Sequence, residues 1–420
     1  MSESETSFWH PFADMHAVRG AELVIDRAED VWVWDDAGNR YLDATASLWY
    51  ANVGHGRKEI AEAAYEQMLR LEAYSTFGDF TNRPAGELAA MLAERAPMAG
   101  AKVFLVSGGG DGIDTAAKLA RRYWEAVGKP EKDHLISRRH AYHGTHGFGT
   151  SLAGIPPNRA GFGSLIAASS QVAHDDAGAL AAEIERVGAD RVAAFFCEPV
   201  IGAGGVHQPP PGYIEEVARI CRENDVLFVV DAVICGFGRL GTWFGIERWP
   251  GIEPDLIVFA KGVTSGYLPL GGVVASARVA EPFWERGGNM FRHGATYSGH
   301  PACCAAAIAN VRLLEDGLLE RGRELEGALA ERLRSLADHD AVGEVRCGIG
   351  LLGAVALAPE VLERDPAAPV KLGMRVRERG VLVRPLGDSV ACSPPLTIQE
   401  PELDLIQEAL ASALEGFPAG

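Results

Sequence analysis

The sequence predicts an α/β protein. A large domain carries a mainly parallel sheet flanked by helices, and a smaller α+β domain is assembled from the two chain ends. Three observations predict this. VLFVVD (226–231) and LIVFA (256–260) are near-continuous apolar runs, the pattern of parallel strands buried on both faces. From about residue 57 such runs alternate with helical segments, as crossover connections require. Residues 1–56 and 326–420 read differently, as a meander and a helix–strand mixture, and are assigned to the small domain, leaving 57–325 for the large one.

In chain order, LVID (23–26), VWVWD (31–35) and RYLDA (40–44) are short runs rich in β-branched and aromatic residues, with a turn at Asp36-Ala37-Gly38-Asn39. VFLV (103–106) runs into a glycine-rich turn and then a helix over about 111–127. AAFFC (193–197) is the next strand. Pro211 is read as the start of a helix whose Ile214, Val217, Ala218 and Cys221 share one face. The two apolar runs follow, and then GLLGAVAL (350–357) and VLVRP (381–385) as strands of the C-terminal segment. No internal repeat and no long linker interrupts the chain.

Composition narrows the function classes. With 47% hydrophobic and 23% charged residues over 420 positions, the chain is globular rather than disordered. A net charge of −18 repels nucleic acid and anionic membranes, so a bound phosphate needs a dedicated site. No apolar run is long enough to span a bilayer, and the acidic start MSESETSFWH does not read as a signal peptide. Seven scattered cysteines without a C-x-x-C predict a reducing, cytoplasmic setting and no structural zinc.

Three features carry chemistry. The chain has seven lysines, and six (Lys58, Lys102, Lys118, Lys129, Lys132, Lys371) sit in polar contexts that read as solvated charge. Lys261 instead ends a buried strand, where desolvation lowers an amine's pKa and suits it to imine chemistry. Ser107-Gly108-Gly109-Gly110-Asp111-Gly112 lies between a strand and a helix. It reads either as a phosphate cradle or as a tight turn capped by Asp111 or Asp114. It is neither a P-loop nor a good dinucleotide fingerprint. Asp231 closes VLFVVD at the ligand edge of an open sheet, where it could meet a protonated pyridine nitrogen or serve an ordinary salt bridge. His55, His146 and His300 lie in turn-like contexts and read as structural, with no metal-ligand spacing. Buried lysine, phosphate turn and strand-end aspartate together suggest pyridoxal 5'-phosphate.

Nine segments then align in order with a known pattern: WHPF (9–12), SLWYANVGHGR (47–57), IDTAAKLARRYW (113–124), AYHGTHG (141–147), EPVIGAGGV (198–206), DAVICGFGRLGTWFG (231–245), FAKGVTSGYLPLGG (259–272), ATYSGHPAC (295–303) and RPLGDSVACSPPL (384–396). Over nearly its whole length the chain resembles the class III aminotransferases of fold type I, the pyridoxal-phosphate-dependent transferase fold, and most of all the omega-amine:pyruvate transaminases.

The resemblance implies a role for each matching residue. Lys261 is the covalent anchor and proton shuttle, and Asp231 pairs with the pyridine nitrogen. Tyr142 and Val233 face the two sides of the ring, with His143 and Glu198 beside it. Gly109 and Gly110 contribute to the phosphate cradle, and Thr296 reaches the phosphate of a second subunit, which makes a homodimer, or a higher even oligomer, the expected state. Trp49, Phe77 and Ala203 match substrate-pocket positions, and Arg384 matches an arginine that binds a substrate carboxylate and swings away from an apolar group. The implied substrates are a small amine donor and a keto-acid acceptor.

The chain departs from the pattern at three positions. The family usually has serine where Gly110 stands, so one charge-assisted phosphate bond is missing unless another group substitutes. Gly112 replaces a frequent alanine. Ala232 replaces an acid, whose usual partner must find another. Rival readings are other class III activities (diamino-acid, 4-aminobutyrate or diaminopelargonate aminotransferases, or a dialkylglycine decarboxylase) and a weakly active cofactor-binding protein. A nucleotide-binding α/β enzyme leaves Lys261 unexplained.

Overall fold

The structure is a computed structural model that describes residues 6–418. Residues 1–5 and 419–420, the extreme ends of the predicted terminal segments, lie outside it. The strands in chain order are β1 (Ile25–Glu29), β2 (Trp32–Asp35), β3 (Arg40–Asp43), β4 (Lys102–Val106), β5 (His134–Arg138), β6 (Ser169–Val172), β7 (Val192–Cys197), β8 (Leu227–Asp231), β9 (Leu256–Phe259), β10 (Gly271–Ala275), β11 (Val342–Cys347), β12 (Gly353–Leu357), β13 (Val381–Leu382), β14 (Arg384–Leu386) and β15 (Ser389–Cys392).

The central sheet has seven strands in the order β4-β10-β9-β8-β7-β5-β6. Only β10 is reversed, pairing antiparallel with both β4 and β9, while the remaining pairs are parallel. Strand residues alternate between two cores. Phe195, Phe228, Val230, Ile257 and Phe259 join one apolar cluster, and Phe196, Leu227, Val229, Leu256 and Val258 join the other. Both faces are therefore covered, which is why β8 and β9 read as unbroken apolar runs. The helix Gly109–Ala126 packs Ile113, Ala116, Ala120 and Trp124 on one face. The helix Tyr213–Glu223 packs Ile214, Val217 and Cys221 on the other.

Several predicted boundaries move for physical reasons. The helix expected from Pro211 starts at Tyr213, because Gly212 takes a left-handed φ of 78° at the capping position. Ile220 joins its buried face, while Ala218 is only partly buried. The glycine-turn helix begins two residues early, at Gly109, with no side-chain cap. Asp111 and Asp114 do not cap it; the Asp114 carboxylate accepts instead from Phe148 and Gly149 N–H at the start of the next helix. Lys132 is buried, not solvated: its ammonium donates to the Ala189 carbonyl at 2.6 Å and lies over the Trp124 ring. LVID shifts to Ile25–Glu29, and GLLGAVAL becomes extended only from Gly353.

The chain ends meet through β13. The order β1-β2-β3-β13 makes one four-stranded sheet and β11-β12-β15-β14 another. VLVRP, expected as one strand, splits at Val383: β13 pairs parallel with β3, and β14 pairs antiparallel with β15 at the sheet edge, where Pro385 needs no ladder donor.

Arg239 joins these parts. Fully buried, it donates to the carbonyls of Leu351 and Pro394 and to Asn52 Oδ1, at 2.9, 2.6 and 3.0 Å. Burial pulls its pKa down to about 9. Arg239→Ala should cost about 3–5 kcal/mol by orphaning three buried acceptors. Chemical denaturation measures this; a loss under about 1 kcal/mol would mean that water replaces the guanidinium.

Three histidine rings, His140, His174 and His207, meet with centroids 4.6–4.8 Å apart. Burial, then the nearby Arg346, pulls His207 down to about 4. A folded pKa below the unfolded value near 6.5 gives stability that is complete above that pH and lost as pH falls toward 4, by roughly 2–3 kcal/mol. The Tm of His207→Asn should therefore fall less than the parent's between pH 7 and pH 5. Parallel pH profiles would overturn this.

Candidate active site

The sheet sets its chemistry along one edge. The strands β4, β5, β7, β8 and β9 point the same way, so the residues just after their C-terminal ends share one rim. Around that rim lies a cavity of about 500 Å³. Its walls include Gly109, Gly110, Tyr142, His143, Glu198, Asp231, Val233 and Lys261, eight positions that the sequence singled out from five separate segments.

Lys261 follows β9 at φ 49°, a left-handed conformation that costs a residue with a Cβ about 1 kcal/mol or more. The turn is held in place from behind, where Asn310 Nδ2 donates to the carbonyls of Gly262 and Val263 at 2.8 and 3.0 Å. Among the described residues the Lys261 amine makes no hydrogen bond and no ion pair. Burial pushes its pKa down, against the pull of Asp231 and Glu198.

Both nearby carboxylates are already engaged. Asp231 ends β8, where its Oδ2 meets His143 Nδ1 at 2.8 Å and its Oδ1 accepts from Val233 N–H at 3.1 Å. The other ring nitrogen of His143 is buried without a partner. Glu198 Oε1 accepts from Tyr142 N–H at 3.1 Å and its Oε2 from Gly202 N–H at 3.0 Å. Burial, then Asp231, pushes the Glu198 carboxyl up, while His143 opposes the rise. The Arg138 guanidinium donates to the Glu198 carbonyl from the fully buried side.

Glycines let the walls close. A Cβ on Gly109 would sit 3.1 Å from Val233 Cγ1, and one on Gly112 2.7 Å from Val258 Cγ1. The first N–H groups of the helix Gly109–Ala126 have no acceptor within the helix and lie beside the cavity.

The remaining predicted residues lie elsewhere. Trp49 is buried in an apolar cluster with Val200, Ile234 and Leu386, and Ala203 packs against it. Phe77 is exposed and lines a separate cleft near Gly294. Thr296 is exposed and lines neither cavity. Arg384, on β14, is partly buried, and its charge acts on Tyr142 and Lys261. Of the histidines read as structural, His55 pairs with Asp43 at 2.9 Å and His300 takes the N-cap position of the helix Pro301–Leu313. His146 is likewise the N-cap residue of the helix Gly147–Leu152, its carbonyl accepting from Thr150 N–H at 2.8 Å, and it also lines the cavity with Ser107, Thr145 and Thr264. Its position three residues after His143 gave no signal, because the neighbour that explains it is 36 positions away at Gly110.

The family model for class-III aminotransferases matches residues 15–414. The chain belongs to that family. This class III aminotransferase is 39% identical to the putrescine–pyruvate aminotransferase of Pseudomonas aeruginosa, over 94% of this chain and 91% of that protein. Among solved structures it resembles a thermostable (S)-enantioselective omega-transaminase from Thermomicrobium roseum, with a TM-score of 0.92, 40% identity and coverage of 97% and 95% of the two chains. It also resembles a PLP-bound amine transaminase from an uncultivated Pseudomonas species, with a TM-score of 0.92, 35% identity and coverage of 99% and 100%.

Pyridoxal 5'-phosphate is the cofactor of this family, and the cavity fits it. An amine without a protein partner can take a carbonyl carbon. A buried carboxylate backed by His143 can face a ring nitrogen, and a glycine-lined helix start can receive a phosphate. Among the described residues no group of three side chains could hold a metal ion.

The amine assignment has a direct test. Borohydride reduction of the holoenzyme should fix the cofactor to the peptide containing Lys261, and Lys261→Ala should lose both the label and nearly all turnover. A label on another lysine would refute the assignment.

Proposed function

We propose that this transaminase moves an amino group from an amine or ω-amino donor to a keto acid such as pyruvate. It works in two half-reactions, with the amino group retained by the enzyme between them. When bound, the cofactor supplies an electrophilic carbonyl and a ring that delocalises the electron pair left by deprotonation of the substrate carbon. Lys261 Nζ would hold the cofactor at rest and then take and return that proton, a task that its depressed pKa favours. Asp231 would keep the ring nitrogen protonated, and His143 fixes the carboxylate's orientation. Tyr142 and Val233 would flank the ring, Glu198 holds the Tyr142 loop, and the Gly109 and Gly110 N–H groups would take the phosphate.

Arg384 supports the keto-acid half. Among the described residues this partly buried guanidinium has no hydrogen bond and no ion pair, and its Nε is buried without a partner. Burial lowers its pKa. A cation desolvated without a counter-ion is costly, and a substrate carboxylate would supply the missing partner. Its long stem can fold away when an uncharged amine enters. The relative named for putrescine and pyruvate supports the same pairing. Trp49, Phe77 and Ala203 would shape the donor side.

The site is proposed to be completed in a homodimer. Leu69, Tyr74, Phe77, Phe80, Met290 and Tyr297 leave large apolar side chains exposed. Thr296, exposed in the same stretch, would serve a second copy. Among the described residues no helix is long and apolar enough to cross a membrane.

Arg384→Ala should raise the KM for pyruvate and alanine by about 2–5 kcal/mol of lost binding. The half-reaction with 1-phenylethylamine should change little. Single-turnover spectra of each half-reaction separate the two. Equal losses would make Arg384 a scaffold residue. Higher turnover with 2-oxoglutarate and 4-aminobutyrate than with pyruvate and putrescine would overturn the substrate assignment.

A further inference from the structure

The phosphate end of the cavity has an unusual wall. Gly110 lies in the first turn of the helix Gly109–Ala126, and the loop after β5 packs directly onto it. A Cβ on Gly144 would stand 2.8 Å from Gly110 Cα. A Cβ on Gly110 would stand 2.6 Å from His146 Nδ1 and 2.9 Å from its Cε1. The imidazole therefore fills the space of a side chain at position 110. The ring is not a stray surface group, because Asp114 anchors the segment just after it through the N–H groups of Phe148 and Gly149. It lines the cavity beside Gly109, Gly110 and Thr145, and its side chain is 51% exposed.

We propose that His146 is a phosphate ligand of the cofactor site, taking over the hydrogen bond that a side chain at position 110 would otherwise give. The inference rests on the cofactor reading of this cavity. Its chemistry follows from the ring. A ring nitrogen that carries a proton can donate to a bound anion, and Nδ1 stands 3.8 Å from Asp111 Oδ1, an ion-pair distance beyond hydrogen-bond reach. The neighbouring free N–H groups of the helix add partial positive charge to the same spot. Gly110 and His146 are then one unit: the glycine is needed because the ring is there, and the ring acts because residue 110 has no side chain.

The unit makes a non-additive prediction. The readouts are the rate at which holoenzyme loses cofactor on dialysis against a scavenger and the 31P resonance of the bound phosphate. His146→Ala should lose cofactor about ten- to a hundredfold faster and shift the resonance. His146→Gln, which keeps a neutral donor, should fall between. Gly110→Ser alone should bring no gain, because its Cβ displaces the ring. Gly110→Ser combined with His146→Ala should return to near the parental rate, since the hydroxyl then has room to bond. An unchanged rate in His146→Ala, or a gain from Gly110→Ser that is independent of residue 146, would overturn the proposal. Borohydride labelling of Lys261 in each variant keeps the two readings apart. Labelled Lys261 with an indifferent His146 sinks only this inference, whereas no label at Lys261 in the parent sinks the cofactor reading itself.

Discussion

The site depends on one constraint: an amine must stay in a dry cavity without being captured by the carboxylates around it. Lys261 is pulled toward its charged form by Asp231 and Glu198 and pushed from it by burial, and burial prevails. Capture is avoided because each carboxylate is occupied. Asp231 is filled by His143 and the Val233 N–H, and Glu198 by the N–H groups of Tyr142 and Gly202. These bonds also fix the loops. Glu198 ties the stretch after β7 to the stretch after β5, and Asp231, through His143, ties the stretch after β5 to β8. The electrostatics that free the amine therefore also build the walls around it.

Much of this was legible in the sequence because buried chemistry leaves a local trace. A lysine after five apolar residues and an aspartate closing another apolar run stand out against the pattern of a two-sided sheet. The glycine turn was legible as a close approach, although what approaches it was not. Legibility failed where the cause was distant. VLVRP looks like one strand until β3 and β15 claim its two halves. Lys132 looks solvated until the Ala189 carbonyl and the Trp124 face enclose it. His146 looked like a turn residue because Gly110, the partner that gives it a place, lies on another element.

The departures from the family pattern have different structural settings. Gly110 is matched by a ring in the vacated space. Gly112 lies against Val258 and the Gly272 carbonyl, where a Cβ would need its neighbours to shift. Ala232 is fully buried in the larger apolar cluster, a setting that gives a carboxylate no obvious counter-charge. Close to it along the chain, Arg239 is buried among three neutral acceptors and has no ion pair among the described residues. The chain has thus settled a buried guanidinium with carbonyl and amide oxygens.

That settlement bears on the active lysine. Asn52, which accepts from Arg239, also donates to the Phe237 carbonyl at 2.8 Å, and its Nδ2 stands 2.6 Å from where a Cβ on Gly262 would be. The turn that carries Lys261 is therefore clamped on one side by Asn310 and packed on the other against Asn52. Arg239 extends this second support to Leu351 and Pro394, in the C-terminal segment. A left-handed lysine persists only where its surroundings over-determine it. Here those surroundings come from the N-terminal segment, the central sheet region and the C-terminal segment at once. The reactive amine is thus held by the same contacts that bring the chain ends onto the central sheet, so damage to that junction should reach the chemistry even though Asn52, Arg239, Leu351 and Pro394 do not line the cavity.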